Sequence, residues 1–260
     1  MSRMLTLVHA GWMAARSSAE SGRRTDALIQ LTRLLARTDL PTPVAADAHR
    51  LAAELLIDTE QYVKARRHLR AAAAAQPENA RTYYLAGLAQ ESDPEGDDRR
   101  AARQFRKAAA LAPDNRRYQA AFGRAAARAG AVRIGTRAML AAANAGPDDL
   151  EVVRVVVEGL IEVGRVRAAR KVLTTARFLC PRSRELRSLW ERTRYEAART
   201  HQRITRATSN DLHGQDGGLT VLPFVGLVRS GPMSGGTIRA DVVSFPRPHH
   251  PRLRYSKADQ

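Results

Sequence analysis

The chain has 260 residues, 44% of them hydrophobic but only 5% aromatic, and carries 43 basic against 26 acidic residues, a formal charge of +17. A single cysteine, Cys180, excludes an intrachain disulfide and a cysteine-ligated metal site. No apolar run reaches the ~18 residues that a membrane-spanning helix needs.

From the N-terminus, Leu5 to about Ala19 reads as a helix. Gly22 reads as a turn, and Ala27, Leu31 and Leu34 as the i, i+4, i+7 face of a second helix. Arg3 before the mildly apolar Met4–Ala14 is only a faint signal-peptide pattern. That stretch holds His9, Gly11 and Trp12 and continues into helical sequence, so cytoplasmic residence is the expectation. A linker, Thr38 to Pro43, closes this first unit, 1–45.

A repeat follows. Pro43, Pro77, Pro113, Pro147 and Pro181 are spaced 34, 36, 34 and 34 residues apart. Twelve residues before the last four stand Ala65, Ala101, Gly135 and Ala169; eight before stand Leu69, Phe105, Met139 and Leu173; five before stand Ala72, Ala108, Ala142 and Ala176. Those offsets define one helix face, with small residues that let a neighbour come close and a large one that fills the gap. Proline then ends each helix, because it cannot continue the hydrogen-bond ladder. A preceding helix is predicted over Ala46–Asp58, Ala80–Ser92, Arg116–Ala129 and Leu150–Val163, with Ala53, Gly87, Gly123 and Val157 in its seam. Gly96, Gly130 and Gly164 mark the turns between partners. The 36-residue spacing comes from the longer turn Asp93–Asp98. The predicted units are therefore 46–79, 80–115, 116–149 and 150–182. A half-polar helix from Ser183 to about Thr205, with Leu186, Leu189, Trp190 and Ile204, caps the open end as residues 183–206. Beyond it, 207–260 reads as a mostly disordered tail with an apolar island, Leu219–Val228. That island would either dock in the groove of the repeats or serve as a separate docking motif.

The 34-residue helix–turn–helix period, the Ala/large/Ala/Pro order and the glycine turn resemble the tetratricopeptide repeat (TPR) family over about Leu5 to Thr205. The best copy is Tyr83, Ala86, Gly87, Gly96, Ala101, Phe105, Ala108 and Pro113. Where the family usually has tryptophan near the repeat start, this chain has His49, Tyr83, Gln119 and Val153. The resemblance implies an all-α, right-handed superhelical solenoid of antiparallel helix pairs. It also implies a role in holding a peptide or partner protein.

No phosphate loop, nucleophile elbow or zincin pair is present, so the sequence points to no catalytic residue, cofactor or metal. Asp97-Asp98 and Asp148-Asp149 fall at helix starts, where capping suffices to explain them. By the resemblance, the first helices line a concave groove showing Arg50, Glu54, Ile57, Tyr84, Leu88 and Glu91, then Arg117, Arg124, Arg128, Arg154, Glu158 and Ile161. Arg117, Arg124 and Arg128 share one helix face on spacing alone and could clamp an acidic partner. The second helices carry another regularity. Arg67, Arg103, Arg137 and Lys171 stand ten residues before each proline, and Arg99, Arg133 and Arg167 extend the stripe. Such an outer basic ladder suits phosphate backbones, which makes nucleic-acid association the alternative to a protein-binding scaffold.

Overall fold

The computed structural model describes residues 2–213, which form eleven helices and no strand. In order these are α1 (Ser2–Glu20), α2 (Arg24–Leu35), α3 (Thr42–Asp58), α4 (Tyr62–Ala75), α5 (Ala80–Glu91) and α6 (Asp98–Leu111). Then follow α7 (Arg116–Arg128), α8 (Val132–Ala145), α9 (Leu150–Glu162), α10 (Val166–Leu179) and α11 (Arg184–His213). The connections are short, so successive helices run back antiparallel against one another.

Each repeat boundary is built the same way. The second helix stops two residues before proline, and the next begins three residues after it, behind a capping side chain. Asn79 Oδ1 accepts from the Thr82 amide at 3.3 Å, and Asn115 Oδ1 accepts from Arg117 at 3.1 Å. Asp149 Oδ1 accepts from Glu151 at 3.2 Å, and Ser183 Oγ from Leu186 at 3.3 Å. Asp97 does the same for α6, at 2.8 Å to the Arg99 amide. These acceptors satisfy amides that a helix start otherwise leaves open.

Pro43, expected at the end of the linker, instead lies in the first turn of α3, where a missing N–H costs nothing; α2 has already stopped at Leu35. The cap also differs from the expected extent. α11 continues to His213, so 207–213, expected as the start of the tail, is helical. The island Leu219–Val228 and the rest of the expected tail lie outside the described residues.

The repeated small/large/small face is the core. Ala65, Ala101, Ala169, Ala72, Ala108, Ala142 and Ala176 are completely buried, as are Phe105, Met139 and Leu173, and Leu69 is 2% exposed. The seam residues explain the spacing between helices. A Cβ on Gly87 would lie 2.6 Å from the Phe105 ring, and one on Gly135 would lie 2.4 Å from the Gly123 carbonyl oxygen. Cys180 caps the C-terminus of α10 half-buried against the core of the last repeats, rather than fully inside it.

The turns divide into two kinds. Gly130 and Gly164 have φ of 94° and 73°, the left-handed exit that glycine makes at no steric cost. Gly96 is required for a different reason: a Cβ there would stand 1.8 Å from the Gln90 carbonyl oxygen. At the corresponding point between α3 and α4 the chain places Glu60, at φ 60°. A side chain in that region costs about 1–2 kcal/mol.

The places where the TPR family usually has tryptophan are filled mostly by polar devices. The Tyr83 hydroxyl donates to the Pro77 carbonyl at 3.0 Å, and the Gln119 side-chain amide donates to the Pro113 carbonyl. Val153 is simply buried. His49 instead meets His68 of α4, Nδ1 to Nδ1 at 2.9 Å. That contact needs one ring to accept, so the two cannot both be protonated. Burial lowers the pKa of both imidazoles below the ordinary value of about 6.5, and for His49 the charge on His68 lowers it further. The unfolded chain thus binds these protons at higher pH than the folded one. Their stabilising contribution is full above about pH 6.5 and is lost as the pH falls through the depressed values. The melting temperature of the wild type is expected to drop between about pH 7.5 and 5 more steeply than that of His68→Gln. Parallel curves would remove the pair from the stability balance.

Candidate functional site

The first helices pack against one another along the stack, α1 on α3, α3 on α5, α7 on α9 and α9 on α11, whereas among second helices this occurs at α8 and α10. Helices on the inside of a bend sit closer together, so the odd-numbered helices form the inner layer. Between α5 and α7 the inner layer is bridged by side chains. The Tyr84 ring stacks on Tyr118 with centroids 4.7 Å apart and leans on Phe105 at 5.6 Å. Leu88 packs beside them.

Beside these rings lies an ion-pair network. The Glu91 carboxylate is 5% exposed and accepts two hydrogen bonds from Arg124, Nε at 3.0 Å and Nη2 at 2.8 Å. Arg128 Nη1 reaches the same carboxylate at 3.4 Å, and its Nη2 meets Asp98 at 3.2 Å. Glu158 receives Arg124 at 3.8 Å, Arg154 at 3.5 Å and Arg192 of the cap helix at 3.6 Å. Burial lowers the pKa of Arg124, but the Glu91 hydrogen bonds and the charges of Glu91, Glu162 and Glu158 outweigh that and raise it overall. Its guanidinium is therefore fixed as a cation. The Tyr84 phenol is held in its neutral form, its pKa raised by burial and by the nearby charges of Glu151 and Glu91.

The remaining charged groove residues predicted from the sequence are also paired. Arg117 contacts Glu151 at 2.6 Å and Asp149 at 3.7 Å, and Arg154 also reaches Glu185 at 3.6 Å. Glu54 holds Arg81 at 2.7 Å. Arg50 is 9% exposed, sandwiched between Asp47 and Gln76. Every groove arginine that the sequence singles out already faces a protein oxygen. At the N-terminal end α1, α3 and α5 enclose an open cleft of ≈ 600 Å³, lined among others by Trp12, Glu20, Asp47, Arg50, Glu54 and Arg81. Trp12, Asp47 and Arg81 were not legible as groove residues, although Arg81 lies 27 residues after Glu54, within one repeat length.

The outer layer is different. Arg67, Arg99, Arg103, Arg133, Arg137, Arg167 and Lys171 all project exposed from second helices. Among the described residues none of these side chains has a carboxylate within ion-pair distance. No described helix is long and apolar enough to cross a membrane.

Helix pairs of this length, with a small-residue seam, a proline boundary and an inner layer of first helices, define a solenoid of the TPR kind. Solved structures share it at low identity. TTC0263, a thermophilic TPR protein from Thermus thermophilus, is 16% identical with a TM-score of 0.55, over 72% of this chain and 98% of that one. A crystal structure of MamA is 15% identical with a TM-score of 0.54, covering 65% and 90% of the two chains. YrrB, described as a TPR protein with an unusual peptide-binding site, is 17% identical with a TM-score of 0.50, covering 68% and 88%. No family model matches the chain, and no curated protein does.

Proposed function

We infer that the protein is a non-catalytic scaffold that holds a peptide or partner protein in the groove of its inner layer. The observation that carries this reading is the ≈ 600 Å³ cleft between α1, α3 and α5, which combines the Trp12 indole with charged side chains and the Asn79 helix cap. YrrB, with the same fold, has a peptide-binding site by its own description. A partner need not be acidic. Groups competing for Arg124 or Arg128 must displace Glu91, whereas Arg81 is 63% exposed and Arg117 53%. These two exchange partners at little cost, because exposed ion pairs contribute about 0–1 kcal/mol. Reversing both charges, Arg81→Glu with Arg117→Glu, should leave the melting temperature nearly unchanged and abolish recovery of the partners that the wild type co-purifies. Undiminished recovery would overturn the groove reading.

A second reading, nucleic-acid association, is favoured by one observation: among the described residues the outer-layer ladder cations are exposed and without ion-pair partners, while the groove cations are paired. Neutralising several phosphates makes affinity fall steeply with salt. Wild-type protein should then shift duplex RNA or DNA at low salt, and Arg133→Gln/Arg137→Gln/Lys171→Gln should reduce both the affinity and the salt slope. No shift at low salt would end this alternative.

A further inference from the structure

A second cleft, of ≈ 510 Å³, opens on the other side of α5, between α4 and α6. Four arginines line it: Arg66 and Arg70 from α4, Arg100 and Arg103 from α6. No carboxylate lines it. Asp93 neutralises Arg66, which also donates to the Ala89 carbonyl at 3.1 Å, so this guanidinium is anchored as part of the wall. Arg100 keeps only a long contact to Asp97 at 3.5 Å. Arg70 gives a single 3.4 Å hydrogen bond to the Arg66 carbonyl, and Arg103 has no ion-pair partner among the described residues. Three cations therefore converge on one concavity with little to balance them.

Beneath the cleft Thr82 is completely buried, and its hydroxyl presents no surface to a ligand. Gln90, 8% exposed, also lines the cleft. The rest of the wall is apolar, with Leu69, Ala73, Ala86 and the Tyr83 ring. A single phosphate would leave most of this volume empty. Typical small-molecule sites span about 300–1,000 Å³ and combine an apolar wall with a few polar groups.

We propose that the α4–α6 cleft is a binding site for a diphosphate group, in which the guanidinium groups of Arg70, Arg100 and Arg103 hold the phosphate oxygens beside the apolar wall. Guanidinium forks match phosphate geometry bidentately, which gives more than a diffuse positive surface gives. The site lies on the layer opposite the groove and is independent of that reading; Arg81→Glu leaves it untouched.

Titration calorimetry on the full chain at low salt tests this, with inorganic pyrophosphate and ADP as probes. Saturable one-to-one binding of pyrophosphate is expected. Tighter ADP than pyrophosphate binding assigns the diphosphate to a nucleotide that uses the apolar wall; equal affinities assign it to the free anion. Arg70→Gln/Arg103→Gln should weaken both by at least about tenfold, since two charge-assisted contacts are removed. Arg137→Gln/Arg167→Gln, on the exposed ladder outside the cleft, should change them by less than about twofold. Absence of saturable binding by either probe overturns the proposal. So does equal weakening by the ladder variant, which would mean diffuse charge alone.

Discussion

Replacing Phe105 with alanine is expected to cost about 3–5 kcal/mol, close to the whole stability of a marginal domain. Phe105 is completely buried, with its ring against Tyr84 and its edge where a Cβ on Gly87 would fall. The hole cannot close easily. Three of the residues around it, Ala101, Ala121 and Ala125, have no side-chain length with which to reach inward. The matched control is Phe178→Ala on α10. Phe178 is 85% exposed, so the same deletion should change stability by less than about 0.5 kcal/mol. Denaturant unfolding of the two variants measures both. Equal costs would show that the repeat face is misregistered.

The second large effect is expected at Glu91. Glu91→Gln keeps the shape but removes the charge facing Arg124 and Arg128. Removing one partner of a buried pair typically costs about 3–5 kcal/mol. Here Arg124 keeps Glu158 at 3.8 Å, and Arg128 is 37% exposed, so about 2–3 kcal/mol is expected. The double variant Glu91→Leu/Arg124→Leu should be more stable than either single variant, because no unpaired charge remains. Additive losses would show that the network carries no coupling. The same geometry identifies Arg124 and Arg128 as residues that hold α5 to α7. Reversing them would injure the fold before it tested any partner, so Arg81 and Arg117 are the better probes of binding.

The periodic part of this structure was legible because two signals agree. The proline spacing sets the unit length, and the Ala/large/Ala face sets its register. Both arise from close packing of helix pairs, so each copy repeats them. Errors came where one signal acted alone. Pro43 fits the spacing but starts a helix, because proline is equally suited to a first turn. The sequence Ala207-Thr-Ser-Asn-Asp looks like linker, since most of these residues are poor helix formers, yet α11 carries through them to His213. The groove was legible as positions and not as partnerships. Arg124 bonds Glu91, 33 residues earlier, and meets Glu158, 34 residues later, one repeat away on each side. That interval is in the sequence, but which acid turns toward which arginine depends on how far neighbouring helices lean together. The α4–α6 cleft was invisible for a related reason. Arg103 belongs to the basic stripe, but Arg66, Arg70 and Thr82 do not, and only the packing of three helices gathers them.

Groove binding can be tested without knowing the natural partner. Peptides selected on the full chain from an unbiased display library can be mapped by hydrogen–deuterium exchange with and without peptide. Protection is expected in the inner layer, in α1, α3 and α5 around Trp12, Glu54 and Arg81, with α4, α6 and α8 unchanged. Protection confined to those second helices, or no peptide enriched above background, would contradict a scaffold that works through its groove.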